Sequence, residues 1–92
     1  MTEDSFFVII QNQISDLDSM QKVRKSHLDY LTELYNDGCV IAGGKFLDNT
    51  GAVIIIKADS IDHAKKIAEK DPYIINNIRE YEIKHWNRTF WR

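Results

Sequence analysis

Cysteine is nearly absent from this chain: Cys39 is the only one, so no intrachain disulfide can form. A reducing, cytoplasmic compartment is the expectation that follows. Cys39 opens an apolar run and lacks an electropositive setting, so it reads as a small buried hydrophobe and not as a nucleophile. Proline is equally scarce, with Pro72 alone, and four glycines leave no flexible linker, low-complexity stretch or internal repeat. No apolar run approaches the roughly 20 residues that a membrane helix needs. The start, "MTEDSFFVII", is acidic where a secretory leader would be basic, so no signal peptide is expected. Basic charge is not in excess either. Twelve Lys and Arg stand against 14 Asp and Glu, a formal net charge of -2, which argues against a nucleic-acid footprint.

What is present suits one ordinary globular domain spanning residues 1–92, 43% apolar and 28% charged. A chain of this size buries only about 60–65% of its unfolded surface, so a partner subunit would help. "FFVIIQ" (6–11) is β-branched and aromatic and predicts a strand. From Met20 to Asn36 the period becomes helical, with Val23, His27, Tyr30, Leu31 and Leu34 on one face and Asp18 or Ser19 as the cap. "DG" at 37–38 is the stop. "CVIAGGKFL" (39–47) and "GAVIIIKA" (51–58), joined by "DNTG", predict an antiparallel hairpin. Ser60 caps a second helix over 61–70, with Ile61, Ala64, Ile67 and Ala68 inward and Pro72 as its end. "IINNIR" suits a helical turn, and "EYEIKHWNRTF" (80–90) alternates as a fourth strand near a sheet edge.

The resulting order, β-α-β-β-α-β, is the ferredoxin-like α+β arrangement: a four-stranded antiparallel sheet with two helices on one face. The first and third strands are apolar at both parities, whereas a sheet with one wet face should alternate. Two helices cover only one face. The economical cover for the other is a second copy of the chain, so a homodimer packed through the sheet face is expected.

Several residues admit two readings. His27, on the apolar stripe of the first helix, is either a half-buried hydrogen-bonded histidine or a general acid or base. Asp71 is a turn former before proline, or the carboxylate that orients the His27 ring if the two helices cross suitably. Tyr73 plugs the core or offers a phenolic donor, and Arg24 is solvated or turned toward an anionic ligand. Gly43 and Gly44, inside a strand, mark either a pocket floor or a dimer contact. The aromatic and basic "HWNRTFWR" reads as packing against the body or the partner subunit. His63 and His85 lack partners at zinc-ligand spacing, so no metal and no cofactor is expected. "AGGKF" and "NTG" do not make a phosphate loop. The RNA-recognition module shares the element order but needs exposed aromatics on its third strand, where this chain has "VIII".

"VRKSHLDYL" (23–31), "AGGKF" (42–46), "GAVIIIKADS" (51–60) and "DPY" (71–73), in that order and separation, resemble the YciI-like proteins along essentially the whole chain. The resemblance implies the dimeric ferredoxin-like α/β-barrel fold and an active site on a His–Asp pair, which falls on His27 and Asp71. It places the motif arginine at Arg24 and the motif tyrosine at Tyr73. Relatives on this fold include muconolactone isomerases, and some YciI-like proteins act as dehydrochlorinases in aromatic degradation. Gly44 stands where relatives often carry proline and the hairpin loop is short, so substrate identity does not transfer.

Two functions follow as expectations. One is a cofactor-free isomerase or lyase that moves a proton on a small organic molecule, with His27 and Asp71 as the catalytic pair and Arg24, Tyr73, Gly43 and Gly44 around the substrate. The other is a non-catalytic dimeric module that binds a small ligand or a protein, with the pair serving only as a structural bond.

Overall fold

A computed structural model describes residues 5–92. The acidic start, residues 1–4, on which the expectation of no leader partly rests, lies outside the described residues. The elements are β1 (Phe6–Gln13), α1 (Leu17–Asn36), β2 (Val40–Lys45), β3 (Gly51–Lys57), α2 (Ile61–Glu69), α3 (Pro72–Ile75) and β4 (Arg79–Trp86). They form an α+β fold whose sheet has the strand order β2-β3-β1-β4, antiparallel throughout. The β-α-β-β-α-β order read from the sequence is thus present, with the short α3 added before β4. No helix among the described residues is long and apolar enough to cross a membrane.

Period-two alternation sorts the strand residues onto two faces. Phe7 and Ile9 of β1 pair with Ile56 and Ile54 of β3, and these four meet Val40, Ala64 and Ala68 in one core. Leu31 and Leu34 of α1 and Ile67 of α2 pack against it, so both helices draw their apolar stripes to this side. Each such large side chain, once buried, contributes about 1.5–3 kcal/mol. The opposite face carries Val8, Ile10, Val53 and Ile55, all half-buried, with Phe6 at its end. The Arg88 guanidinium lies 3.8 Å over the Phe6 ring and 4.9 Å from the Trp91 ring, so Arg88 holds the segment after β4 to the body while Phe90 stays exposed.

Two helix boundaries differ from the sequence reading. The first helix starts at Leu17, not Met20, and its cap is Asp16, whose carboxylate accepts from Ser19 N at 2.7 Å. Leu17 is half-exposed, so the first turn shows no apolar period. Secondly, α2 ends at Glu69, and Pro72 is the first residue of α3. Proline suits that position because it has no N–H to leave unpaired and its φ is already helical. Ile61, expected to face inward, is exposed, since it sits in the first turn of α2 beyond the sheet.

The β2–β3 turn is built by Asp48, whose Oδ1 accepts from Thr50 N at 3.1 Å and Thr50 Oγ1 at 2.6 Å. Asn49 takes the left-handed conformation, φ 64°. Gly51 follows at φ 155°, and a Cβ there would stand 1.8 Å from the Gln11 carbonyl oxygen. The obstacle is backbone of the neighbouring strand, which cannot swing away. Gly51→Ala is expected to lower stability by about 2–3 kcal/mol, read as a lower urea midpoint at unchanged slope. An unchanged midpoint would show that β1 and β3 are free to separate there.

Candidate active site

The site begins with "DPY". The residue before a proline is held out of the helical region, and Asp71 accordingly sits at φ -64° and ψ 125° as the cap of α3. Its Oδ1 accepts from Tyr73 N at 2.9 Å, which turns the carboxylate inward. Asp71 is 1% exposed. Such a group must be fully hydrogen-bonded, and two further donors meet it. His27 of α1 approaches through Nδ1, 2.7 Å from Oδ1, and Gln11 of β1 donates from Nε2 to Oδ2 at 2.8 Å.

This geometry fixes the histidine. A carboxylate accepts and does not donate, so the proton on this side of the ring belongs to Nδ1. Nε2 takes no protein partner among the described residues. The ring stacks on Tyr73 with centroids 3.8 Å apart and planes 12° from parallel. Burial pushes the Tyr73 phenol up from its ordinary range, against an opposing pull from Arg79 and Arg24, so the phenol stays protonated at neutral pH. The Tyr30 hydroxyl donates to Ile67 O at 2.6 Å and ties α1 to α2. Its pKa is pushed up to about 12, first by burial and then by the Asp71 charge.

A second layer surrounds this core. Arg79, the first residue of β4, donates from Nη1 to Gln11 Oε1 at 2.9 Å and from Nε to Gln13 Oε1 at 3.1 Å. Its guanidinium carbon lies 4.6 Å from the Tyr73 ring centre. A continuous chain results: Arg79 to Gln11, Gln11 to Asp71, Asp71 to His27. The chain also fixes the orientation of the Gln11 amide, whose oxygen faces the cation and whose nitrogen faces the carboxylate.

A cleft of about 670 Å³ opens between α1 and β2, with His27, Tyr73 and Arg79 in its wall. Asp71 and Gln11 do not line it; they stand behind the histidine. Arg24 lines the same cleft but is exposed at its rim. Gly43 and Gly44 line it from β2, next to a bulge in the strand between Val40 and Ala42. A Cβ added at Gly44 would meet nothing within 4 Å, so that part of the wall is open. Cys39 packs against the core away from the cleft, and burial raises its thiol pKa.

All six residues singled out from the sequence therefore lie in or directly behind one cleft. Of these, His27, Asp71 and Tyr73 are joined by hydrogen bonds and ring stacking. Gln11 and Arg79 were missed. The available signal for Gln11 was its parity: it shares the inward register of Phe7 and Ile9, where a polar side chain needs a partner. Arg79 lay one residue outside the expected fourth strand.

Similarity to known proteins agrees with this architecture. The family model described as the YCII-related domain matches residues 5–87. Uncharacterized protein YjpA of Bacillus subtilis is 33% identical over 60 residues, covering 65% of this chain and 71% of that protein. Protein YciI of Escherichia coli O6:H1 is 24% identical over 96 residues, covering 92% and 98%. Among solved structures, the 5-chloro-2-hydroxyhydroquinone dehydrochlorinase TftG of Burkholderia phenoliruptrix AC1100, in complex with 2,5-dihydroxybenzoquinone, superposes with a TM-score of 0.78. It is 24% identical, over 88% of this chain and 92% of that one, a likeness that carries the fold. With the family match spanning nearly every described residue, the chain belongs to the YCII-related domain family.

Proposed function

We propose that this protein is a cofactor-free acid–base enzyme that moves a proton on a small cyclic organic molecule, by isomerisation or elimination. The observation that carries the reading is the buried 2.7 Å contact between His27 Nδ1 and Asp71, made by a ring that also lines a cleft. Asp71 holds the ring and balances the charge it gains. His27 then takes a proton through Nε2 from an O–H or C–H acid in the cleft. The electron pair left behind moves into the substrate, and either a double bond shifts as Nε2 returns the proton to another substrate atom, or a leaving group departs with its bonding electrons. Tyr73 and Arg24 contact the substrate, and Gly43 and Gly44 leave room for it against β2. The fold likeness to a dehydrochlorinase supports elimination as the first chemistry to assay.

Incubation with chlorinated hydroxyquinols, followed by chloride release, tests this directly. Accelerated release is expected. If the folded protein binds such rings in the cleft yet neither frees halide nor exchanges a substrate proton, the non-catalytic binding module is the better account. The lone half-buried cysteine suits a reducing compartment, and we place the protein in the cytoplasm on that ground.

The assembly proposed for it is a homodimer with sheets face to face, completing an α/β barrel. Val8, Ile10, Val53 and Ile55 support it: they make an apolar stripe on the face the helices leave uncovered. Light scattering at micromolar concentration is expected to return twice the chain mass. Charged replacement on the stripe, as in Val53→Lys, is expected to halve it, and a wild-type protein already of monomer mass would remove the barrel.

A further inference from the structure

The cleft wall contains three cations, Arg24, Lys45 and Arg79, and no carboxylate. Of these, only Arg79 is buried, at 6% exposure. A buried guanidinium ordinarily has an acid beside it, because removing the charge from water is costly. Arg79 has none. Its hydrogen bonds go to two neutral amide oxygens, Gln11 Oε1 at 2.9 Å and Gln13 Oε1 at 3.1 Å, and to the Met20 thioether sulfur at 3.9 Å. A guanidinium presents about five N–H groups in a planar fork, so donors remain on its terminal nitrogens. Asp71 balances the charge only at one remove, through the Gln11 amide. Burial correspondingly lowers the Arg79 pKa from its ordinary value.

The position of this cation relative to His27 gives it a role. Both groups pack on the same Tyr73 ring, His27 at 3.8 Å and the Arg79 guanidinium at 4.6 Å from its centre. The Tyr73 ring is thus shared by the two groups, and both line the same cleft. We propose that Arg79 is the anion-recognition residue of this cleft and selects planar rings bearing a carboxylate. The fork geometry matches a two-oxygen anion and not a single alkoxide or a neutral carbonyl. This assignment rests on the cleft being the substrate site, as in the reading of His27 above. It adds which substrates enter and which residue holds them.

The test compares benzoate with benzamide, its neutral isostere, titrated into the wild-type protein and followed by amide chemical shifts. Benzoate is expected to bind at least about tenfold tighter, as a charge-assisted pair replaces a neutral one. Arg79→Gln is expected to erase that preference, and Arg79→Lys, which keeps the charge but not the fork, to retain part of it. Equal wild-type affinities, or no benzoate binding at millimolar concentration, overturn the proposal without recourse to any variant. So does a preference that survives in a folded Arg79→Gln protein. His27→Asn separates the two readings. If it keeps both the benzoate preference and full turnover, the chemistry assigned to His27 falls while the anion site stands.

Discussion

Replacing His27 with asparagine is expected to lower turnover by about 10²–10⁴-fold while the protein stays folded, the range for losing a positioned general acid or base. Asparagine is the informative choice because its side-chain amide sits near the position of Nδ1. It can still donate toward Asp71 Oδ1, which His27 Nδ1 meets at 2.7 Å, so the buried carboxylate keeps a partner. What asparagine lacks is a basic nitrogen facing the cleft. The variant thereby removes the proton carrier and keeps the structural bond. Circular dichroism and the urea midpoint should change little, and kcat should carry most of the loss, since Tyr73 and Arg79 still line the cleft. If instead turnover survives, or the protein loses its fold, the His27–Asp71 pair is a structural tie between α1 and α3.

Asp71→Ala is the second large effect, and it falls on stability. One carboxylate here accepts from the His27 ring, the Gln11 amide and the Tyr73 backbone, and it also caps α3. Truncation strands all three donors at a position 1% exposed, where water cannot replace the lost acceptor. A buried donor left unsatisfied costs about 1–3 kcal/mol, so stranding three is expected to cost several kcal/mol. That is a large fraction of the roughly 5–15 kcal/mol that holds a small domain folded. Asp71→Asn preserves shape and one acceptor oxygen but turns an amide N–H toward a donor, so a smaller loss is expected. Urea denaturation of the two variants checks the order, and equal, small losses for both would mean that the carboxylate is not the hub of this network.

The parts of this fold that were legible in the sequence are those governed by local period. The stripe from Val23 to Leu34 announced α1, and Ser60 announced α2, whose cap accepts from His63 N at 3.1 Å. Strands apolar at both parities announced β1 and β3. The short segment around Pro72 was half legible. A proline after a helical pattern reads as its stop, yet the same fixed φ also starts a helix, and only the chain direction after Asp71 decides between them. The polar half of the site was the least legible. Gln11 and Arg79 are 68 positions apart and meet because β1 and β4 pair in a register that no local pattern specifies. A polar residue at an inward strand position signals a buried network without naming its partners. His27 and Asp71, 44 positions apart, were matched because an imidazole on an apolar stripe calls for a carboxylate, the topology brings α1 to the end of α2, and the resemblance to the YciI-like proteins sets a His–Asp pair on these two residues.

The central claim is that Asp71 holds the Nδ1 proton of His27 so that Nε2 is presented to whatever occupies the cleft. Nitrogen-15 NMR of the His27 ring, recorded with and without 2,5-dihydroxybenzoquinone, tests it most directly. A proton held at Nδ1 in both states, with an Nε2 resonance that shifts on addition of the ring compound, is the expected result. A bare Nδ1, or an Nε2 that the ligand leaves unmoved, would contradict it.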